Sequence, residues 1–269
     1  MEIISKDNPL IGEIRQLISQ AKYRKKVGRF VIEGVRLCED AVRSDVPIAT
    51  FVYTEKAREA YPTVWAAVDA AAARSVCVAD RLAALVSDTQ SPQGFFAVCE
   101  QTALPFSLDR VRRGGRYLAL ENIQDPSNMG TMIRTAEAFG LDGLLLSGDC
   151  CDVTSPKVVR GSMGGVFRLP TMVCDSFADA LQSLGKAGIS LYACVPDRSA
   201  DPIQSVDFSA GGIALIGNEA NGLRAETIAL CDRSITIPMG GRAESLNAAA
   251  AAAILIWEMV RSAGKDGAE

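Results

Sequence analysis

Residues 121–140, ENIQDPSNMGTMIRTAEAFG, place an elaborate polar loop between two regular elements. An apolar run at 117–120 reads as a strand that leads into the loop. Asn128 stands where an N-cap is expected, and the helix that follows carries one cation, Arg134. Because a short helix rarely needs so polar an approach, the loop is predicted to bind something.

Two more polar loops lie downstream, IGNEANGL at 216–223 and IPMGGRAESLN at 237–247. Strands and helices alternate throughout this half of the chain, which predicts a parallel sheet covered by helices on both faces. Such sheets bind ligands beyond the carboxyl ends of their strands. Since each loop follows a predicted strand, we expect one composite site. The predicted strands are 117–121, 143–147, 190–195, 212–216 and 234–237, and the predicted helices 129–139, 156–164, 176–187, 223–230 and 245–262.

The first hundred residues predict a smaller α/β domain. Helices are expected at 10–26, 35–43 and 57–73, and strands from 29, at 49–53, near 76–79 and at 94–99. A segment with two glycines, one proline and four arginines follows it. We therefore expect a first domain at 1–104, a linker at 105–116 and a second domain at 117–269.

Charge is distributed unevenly, although the net charge of the 269-residue chain is only −4. No acid lies between Glu13 and Glu33, whereas six cations do. A second basic cluster precedes the strand at Tyr117. A charge run can simply be a solvated helix face, so this pattern alone leaves nucleic-acid binding open. The two clusters are Arg15, Lys22, Arg24, Lys25, Lys26 and Arg29, and Arg110, Arg112, Arg113 and Arg116.

Some chemistry is excluded by composition. The chain has no histidine, which removes the usual general base and the commonest metal ligand. Its eight cysteines form no C-x-x-C pair, so no metal site is expected, and they are typical of core residues in a reducing compartment. With no signal peptide and no long apolar span, we expect a cytoplasmic protein that does not enter a membrane.

Each loop is weak evidence on its own. GNEANG is neither a P-loop nor G-x-G-x-x-G, so a nucleotide-dependent oxidoreductase is disfavoured. Taken singly, Glu219 and Arg134 could be surface charges. Ser245 could simply cap the helix after it, with Leu246 and Asn247 in that helix's first turn.

Taken together, the loops resemble the SpoU (TrmH-type) RNA ribose 2′-O-methyltransferases of the SPOUT class. The family pattern N-x-x-D-P-x-N-x-G-x-x-x-R-T-A is similar to residues 122–136, G-x-E-x-x-G-L to 217–223, and I-P-M with S-L-N to 237–247. The segment SPKVVRGSMGGVFRLP at 155–170 also resembles the family. Residues 22–42 resemble a small RNA-binding domain that often precedes the catalytic one. Alanines after Asn247 replace larger aliphatic residues common in the family.

The resemblance implies an α/β SPOUT domain with a deep trefoil knot, preceded by a smaller α/β domain of the L30e/L7Ae type. It implies a homodimer that uses S-adenosylmethionine (SAM) and needs no metal. By carry-over, the catalytic residues are Arg134, Asn128, Glu219, Ser245 and Asn247, and the cofactor-binding residues are Gly217, Ile237, Met239, Leu246 and Asn247. The expected RNA-binding residues are Lys22, Arg24, Lys25, Lys26 and Arg29.

The implied reaction transfers a methyl group to a ribose 2′-hydroxyl of structured RNA. A guanidinium with a pKa above about 12 is a poor base, so Arg134 is expected to bind a phosphate or stabilise the alkoxide. The two-domain layout resembles enzymes of large-subunit ribosomal RNA more than compact tRNA enzymes. A tRNA 2′-O-methyltransferase and a non-catalytic ribosome-assembly factor are the alternatives, although the latter predicts loss of the cofactor loops or of Arg134.

Overall fold

The computed structural model describes residues 3–87, 89, 91–101 and 106–261. Its helices are α1 (Pro9–Ser19), α2 (Ala21–Val27), α3 (Val35–Arg43), α4 (Glu55–Ala60), α5 (Pro62–Ala71), α6 (Asp80–Ala83), α7 (Pro126–Ala138), α8 (Pro156–Ser162), α9 (Phe177–Lys186), α10 (Ala225–Ala229) and α11 (Ala248–Arg261). Its strands are β1 (Arg29–Glu33), β2 (Ile48–Tyr53), β3 (Ser75–Cys77), β4 (Phe95–Glu100), β5 (Arg116–Leu120), β6 (Gly143–Ser147), β7 (Thr171–Cys174), β8 (Leu191–Cys194), β9 (Asp201–Pro202), β10 (Gly212–Ile216) and β11 (Arg233–Thr236).

The chain forms two compact units. One comprises Met1–Thr102 with Asp152–Arg168, and the other comprises Ala103–Cys151 with Leu169–Glu269. The segment 152–168 thus groups with the first unit, whereas the predicted limits put it in the second domain. The predicted limits of the functional domains stay a prediction, and residues 102–105, where the linker was expected to begin, lie outside the described part.

The first unit is built on a four-stranded sheet in the order β1-β4-β2-β3. Side chains alternate across it, as strand geometry requires. Phe30 and Ile32 of β1 enter the apolar cluster beneath α3 and α5, whereas Val31 enters the cluster beneath α1. Phe167, from the segment 152–168, joins the first cluster with its ring centre 6.3 Å from that of Phe30.

Two predicted helices of this unit are each broken in two. The helix expected at 57–73 stops at Ala60 and restarts at Pro62. Proline has no N–H and clashes with the preceding turn, so it suits the first helical position and not the interior. The helix expected at 10–26 is interrupted at Gln20, whose backbone is extended.

The second unit contains a seven-stranded sheet in the order β7-β6-β5-β10-β8-β11-β9, and every pairing in it is parallel. The chain runs outward from β5 through β6 to β7 and returns on the other side of β5. Because parallel strands share one carboxyl edge, the loops after β5, β10, β8 and β11 lie side by side there. The crevice between β5 and β10 is where such sheets bind ligands.

All five strands predicted for this half are present, whereas β7 and the two-residue β9 were not predicted. Both are short, and the four residues of β7 are too few for a sequence pattern to separate a strand from a loop. The C-terminal helix α11 begins at Ala248, later than predicted, and contacts α7, β5 and β10. The last predicted helical residue, 262, lies outside the described part.

Candidate active site

The loop after β5 begins α7 with a side-chain cap. The Asp125 carboxylate accepts the Ser127 N–H at 2.8 Å, and Pro126 takes the first helical position. Asn128 therefore lies inside the first turn, 7% exposed, and the prediction that it is the N-cap is wrong. Proline is favoured directly after a cap because its missing N–H needs no partner there.

Glu219 comes from the loop after β10 and binds the loop after β5. One of its carboxylate oxygens, Oε1, accepts the Asp125 N–H at 3.0 Å and the Asn128 side-chain amide at 3.1 Å. The other accepts the Gln124 N–H at 3.2 Å. Partial burial works to raise the pKa of Glu219, but these hydrogen bonds outweigh it and lower the pKa below its ordinary value. Glu219 therefore stays ionised and holds the two loops together.

Asn128 extends this connection to the third loop. Its side-chain oxygen accepts the Asn247 amide at 3.0 Å. The oxygen of Asn247 in turn accepts the N–H groups of Ala249 and Ala250 at 2.9 and 3.2 Å. Asn247 thus caps α11, which corrects two expectations: Ser245 is not the cap, and Leu246 and Asn247 precede the helix. A continuous relay of side chains runs from Glu219 through Asn128 to Asn247, and we call it the inter-loop relay.

The loop at 217–222 folds back on itself. The N–H of Asn218 donates to the Gly222 carbonyl at 3.0 Å, and the reverse bond measures 2.9 Å. A Cβ at Gly217 would lie 2.1 Å from the Gly222 carbonyl carbon, so only glycine fits there. Gly222 itself has φ +68°, which also favours glycine. These contacts explain why the motif has a glycine at each end.

A cavity of about 570 Å³ is lined mainly by the loops that follow β8, β10 and β11. Four of the five residues predicted to bind the cofactor line it: Gly217, Ile237, Met239 and Leu246. Its size is within the range of small-molecule sites. Its lining includes three carboxylates, of Asp197, Glu219 and Glu244, and no lysine or arginine. A cationic sulfonium ligand with an adenosine group fits both the volume and this charge.

A groove of about 620 Å³ adjoins that cavity and shares Glu219, Ser245 and Leu246 with it. Asn128 and Asn247 line the groove and not the cavity. The predicted residues therefore fall into two adjoining sets, one around the cavity and one around the more open groove. A group held in the cavity can reach a substrate in the groove past the shared residues.

Arg134 stands apart from the inter-loop relay. It lies on the exposed face of α7, and among the described residues its side chain makes no hydrogen bond or ion pair. The structure thus brings together Asn128, Glu219 and Asn247, and Arg134 of the same helix is not bonded to them. A cation without a protein partner remains available to a phosphate.

Sequence reasoning missed the loop after β8. Cys194, Pro196 and Asp197 line the cavity, as does Thr236 at the end of β11. The signal was present, because a strand was predicted at 190–195 and its carboxyl end lies at the same sheet edge. No motif drew attention to Val195-Pro196-Asp197.

The expected RNA-binding residues, which lie in the first unit, divide into two groups. Lys22, Lys25 and Lys26 are exposed on α2. Arg24, in contrast, is 4% exposed: its guanidinium bonds the Asp152 carboxylate at 2.6 Å and the Leu17 carbonyl at 2.7 Å. The prediction that Arg24 binds RNA is therefore corrected, since its donors stabilise the fold. Arg29 is partly exposed and pairs with Glu13 and Glu100.

Three arginines of the second basic cluster bond to neighbouring parts of the fold. Arg112 pairs with Asp142 at 2.7 Å. Arg113 donates to the Ala187 carbonyl and Arg116 to the Met259 carbonyl, each at 3.0 Å. These bonds tie the start of β5 to neighbouring elements, so this cluster does not indicate nucleic acid.

Comparison with known proteins identifies the family and the fold. A profile described as the SpoU rRNA Methylase family matches residues 115–257, and an MRM3-like substrate binding domain matches residues 8–97. The chain belongs to the SpoU rRNA methylase family. The predicted family, the α/β SPOUT fold class, the S-adenosylmethionine-dependent methyltransferase activity and the separate N-terminal α/β domain are thereby confirmed.

Similar proteins extend over nearly the whole chain. The 23S rRNA (uridine(2479)-2′-O)-methyltransferase of Streptomyces viridochromogenes is 32% identical, over 96% of this chain and 91% of its own. The 23S rRNA (guanosine(2553)-2′-O)-methyltransferase RlmP of Bacillus subtilis is 29% identical, over 96% and 98%. The crystal structure of an AdoMet-bound rRNA methyltransferase from Sinorhizobium meliloti matches with TM-score 0.86 and 31% identity, over 97% of both chains.

Two negative findings concern the described residues alone. None of the helices in the described ranges is long and apolar enough to cross a membrane. No group of three or more histidine, cysteine or acidic side chains is arranged there to hold a metal ion. None of the eight cysteines, all of which lie in the described ranges, forms a disulfide bond.

Proposed function

We propose that this family member transfers the methyl group of S-adenosylmethionine to a ribose 2′-hydroxyl of large-subunit ribosomal RNA. The observation that carries the proposal is the pairing of a cavity of about 570 Å³ with a more open groove lined by polar side chains at one sheet edge. The names of the Streptomyces viridochromogenes and Bacillus subtilis relatives, both 23S rRNA 2′-O-methyltransferases, support the RNA class.

In this proposal the cavity holds the cofactor. Gly217, Ile237 and Leu246 offer backbone groups to the adenosine, because the glycine and the proline-stopped strand end leave those groups accessible, with Met239 and Asn247 beside them. The carboxylates of Asp197 and Glu244 favour a positively charged ligand. The cofactor supplies the methyl group, and the chain supplies the alignment of the acceptor hydroxyl with it.

The groove holds the ribose. Asn128, Ser245 and Asn247 supply amide and hydroxyl groups that orient it, and the inter-loop relay keeps Asn128 and Asn247 in fixed positions. Glu219 is a weak base because its pKa is lowered, and a general base needs a pKa near the working pH. We therefore assign Glu219 to positioning and not to proton removal.

Arg134 binds a negatively charged group of the RNA at the reaction site. A guanidinium remains protonated at neutral pH, so it binds the phosphate next to the target ribose or the alkoxide that develops there. Its exposed position, without a recorded protein partner among the described residues, suits a group that waits for RNA. Lys22, Lys25 and Lys26 add phosphate contacts from the first unit, with a smaller part for Arg29.

The C-terminal segment is proposed to form the family's trefoil knot. Although β11 lies beyond β8, the segment after it returns to place α11 against α7, β5 and β10. Asn247 meets Asn128 on this return path. Such a return across the site-forming loops is what a knot requires, and it supports this topology.

A homodimer is proposed to form over α7 and α11. Their outer face exposes Phe139, Ile254 and Trp257, and the rings of Phe139 and Trp257 meet edge to face at 5.7 Å. Adjacent exposed aromatic and aliphatic groups are typical of interfaces between proteins. The proposed ribosomal RNA substrate implies a cytoplasmic location.

The test is methyl transfer in vitro with labelled S-adenosylmethionine. Protein-free 23S rRNA is expected to accept label, which should vanish when the mapped target ribose is replaced by its 2′-deoxy form in a short RNA. Labelling of tRNA alone would favour the tRNA alternative. No labelling of any RNA, despite binding, would favour the non-catalytic assembly factor.

A further inference from the structure

Glu121 is a buried carboxylate that none of the roles above uses. It directly follows β5, at the crevice between β5 and β10, and is 1% exposed. Burying a charged group is unfavourable unless it is paired and hydrogen-bonded. Its contacts therefore show what it does in the fold.

Those contacts all lie at the start of α10. Oε2 of Glu121 accepts the backbone N–H of Arg224 at 2.8 Å, and Oε1 accepts the Thr227 hydroxyl at 2.6 Å. The Arg224 guanidinium approaches Oε1 at 3.4 Å and also pairs with Asp149. Arg224 is the N-cap residue of α10 but makes no side-chain cap bond. Glu121, directly after β5, thus accepts the N–H of the N-cap residue, as the N3 carboxylate of a capping box does within a helix.

The residues that Glu121 holds adjoin the cavity wall. Gly222, Leu223 and Ile228 line the cavity on either side of Arg224 and Thr227. Leu223 is 8% exposed and packs in the core cluster of the second unit. The two bonds between Asn218 and Gly222 close the 217–222 loop on itself, and Arg224 follows that loop by two residues. We therefore expect a shift at Arg224 to displace the loop.

The two loops are joined in both directions. Glu121 reaches from the loop after β5 to the base of the loop after β10, while Glu219 reaches back from the tip of the second loop to Gln124, Asp125 and Asn128. Asn218 adds a bond to the Asn122 carbonyl at 2.8 Å. The base of the second loop therefore depends on Glu121 and its tip on Glu219.

We propose that Glu121 is a positioning residue for cofactor binding, which acts by fixing Arg224 and Thr227 so that residues 217–223 form the cavity wall. Its partners in this role are Arg224 and Thr227, and it does not touch the cofactor itself. The proposal rests on the assignment of the cavity to S-adenosylmethionine. It adds a buried residue outside the three motifs to the determinants of cofactor affinity.

The experiment is calorimetric titration of the folded full-length protein with S-adenosylmethionine, with thermal unfolding in parallel. Glu121→Ala leaves two donors without an acceptor and is expected to raise Kd about tenfold. Glu121→Gln keeps one acceptor but loses the charge, and an increase of about threefold is expected. Thr227→Val, which removes one donor with little change in shape, keeps the test available if Glu121→Ala does not fold. Asp179→Asn, which changes an exposed carboxylate on α9 of the same unit, is the control.

A role limited to stability gives a different result. It would lower the melting temperature of the Glu121 variants while Kd for the cofactor, measured well below that temperature, stayed within about twofold of wild type. That outcome overturns the proposal. Positioning instead raises KM for the cofactor and leaves the Kd for RNA unchanged.

Gly217→Ala separates this proposal from the assignment beneath it. Any side chain there must displace the loop, so cofactor affinity should fall if the cavity is the binding site. If Gly217→Ala has no effect, the cavity assignment fails. If Gly217→Ala weakens binding but the Glu121 and Thr227 variants do not, only the positioning role fails.

Discussion

Two polar side chains of α7 differ in burial and in hydrogen bonding. At its start, Asn128 is buried and bonded on both sides, to Glu219 and to Asn247. Further along, Arg134 is exposed and has no recorded partner among the described residues. The first part is fixed before any ligand arrives, whereas the second has its charge available. In the proposed function, the first part is a rigid frame for the reacting groups and Arg134 is the cation that binds RNA.

The same contrast appears among the basic residues of the first unit. The guanidinium of Arg24 donates to Asp152 and to the carbonyls of Leu17 and Ile18, although Arg24 lies among exposed lysines in the sequence. Lys22 and Lys25 remain on the surface. Charge in the sequence is therefore not the same as charge available to a ligand.

The largest effect is expected at the free cation. Arg134→Ala should lower single-turnover methyl transfer by about 1,000-fold, because a group that stabilises developing charge is lost. The Kd for S-adenosylmethionine should stay within about twofold and the free energy of unfolding should change little, since among the described residues the Arg134 side chain has no hydrogen bond or ion pair to lose. Arg134→Lys keeps the charge but loses the planar guanidinium, so its rate of transfer should lie between those of the wild type and Arg134→Ala. Near-normal turnover of Arg134→Ala would remove Arg134 from the mechanism.

A smaller loss of activity, with a loss of stability, is expected in the frame. Asn128→Ala interrupts the inter-loop relay on both sides and should reduce methyl transfer about 100-fold.

Asn247→Ala removes the cap of α11 and should lower the free energy of unfolding by about 1 kcal/mol. Urea unfolding and single-turnover assays on the same samples measure both. If Asn128→Ala and Arg134→Ala proved equally stable, the division between frame and free cation would not hold.

The outline of the second unit could be predicted from its sequence because its strands are buried, apolar and separated by helices. The loops at 217–222 and 237–247 could be assigned to one sheet edge for the same reason. The short edge strand β7 left no such signal. Partners distant in sequence were also invisible: nothing near Arg24 indicates that Asp152 will bury it, and nothing near Asn128 indicates Asn247.

The position of helix caps was a second limit. Asn128 and Ser245 are both good capping residue types, yet Asp125 and Asn247 do the capping. Several such residues follow one another in these loops, so residue type cannot choose among them. Only the path of the chain decides, and that depends on the packing of the entire sheet.

The pH dependence of stability sharpens the description of Glu219 as part of the frame. Its pKa in the folded protein is lowered from the ordinary value of 4.5, so its contribution is present above that value and is lost as the pH falls through the folded pKa. Glu219→Gln should therefore be less stable than wild type at pH 7. The difference in the free energy of unfolding should shrink below pH 4.5. Urea unfolding of both proteins at pH 7 and at a pH below 4.5 measures it. A difference independent of pH would mean that the charge of Glu219 plays no part.

The smallest effect concerns the exposed lysines. Replacing Lys22, Lys25 and Lys26 with Gln should weaken RNA binding and flatten the dependence of log K on log salt by about two, if all three meet phosphates. Arg24→Gln is the contrasting variant: it should lower the melting temperature and leave the salt slope of the folded protein unchanged. Filter binding from low to high salt measures both, and an unchanged slope in the lysine variant would place the RNA surface elsewhere.

The central claim is tested most directly by mapping ribose 2′-O-methyl groups across ribosomal RNA and tRNA from cells that lack this protein. Complementation with the wild-type gene should restore one methyl group in large-subunit ribosomal RNA, and complementation with the Arg134→Ala form should not, although that protein accumulates normally and binds the cofactor. Restoration by both forms, or a methyl group that returns only in tRNA, would contradict the account.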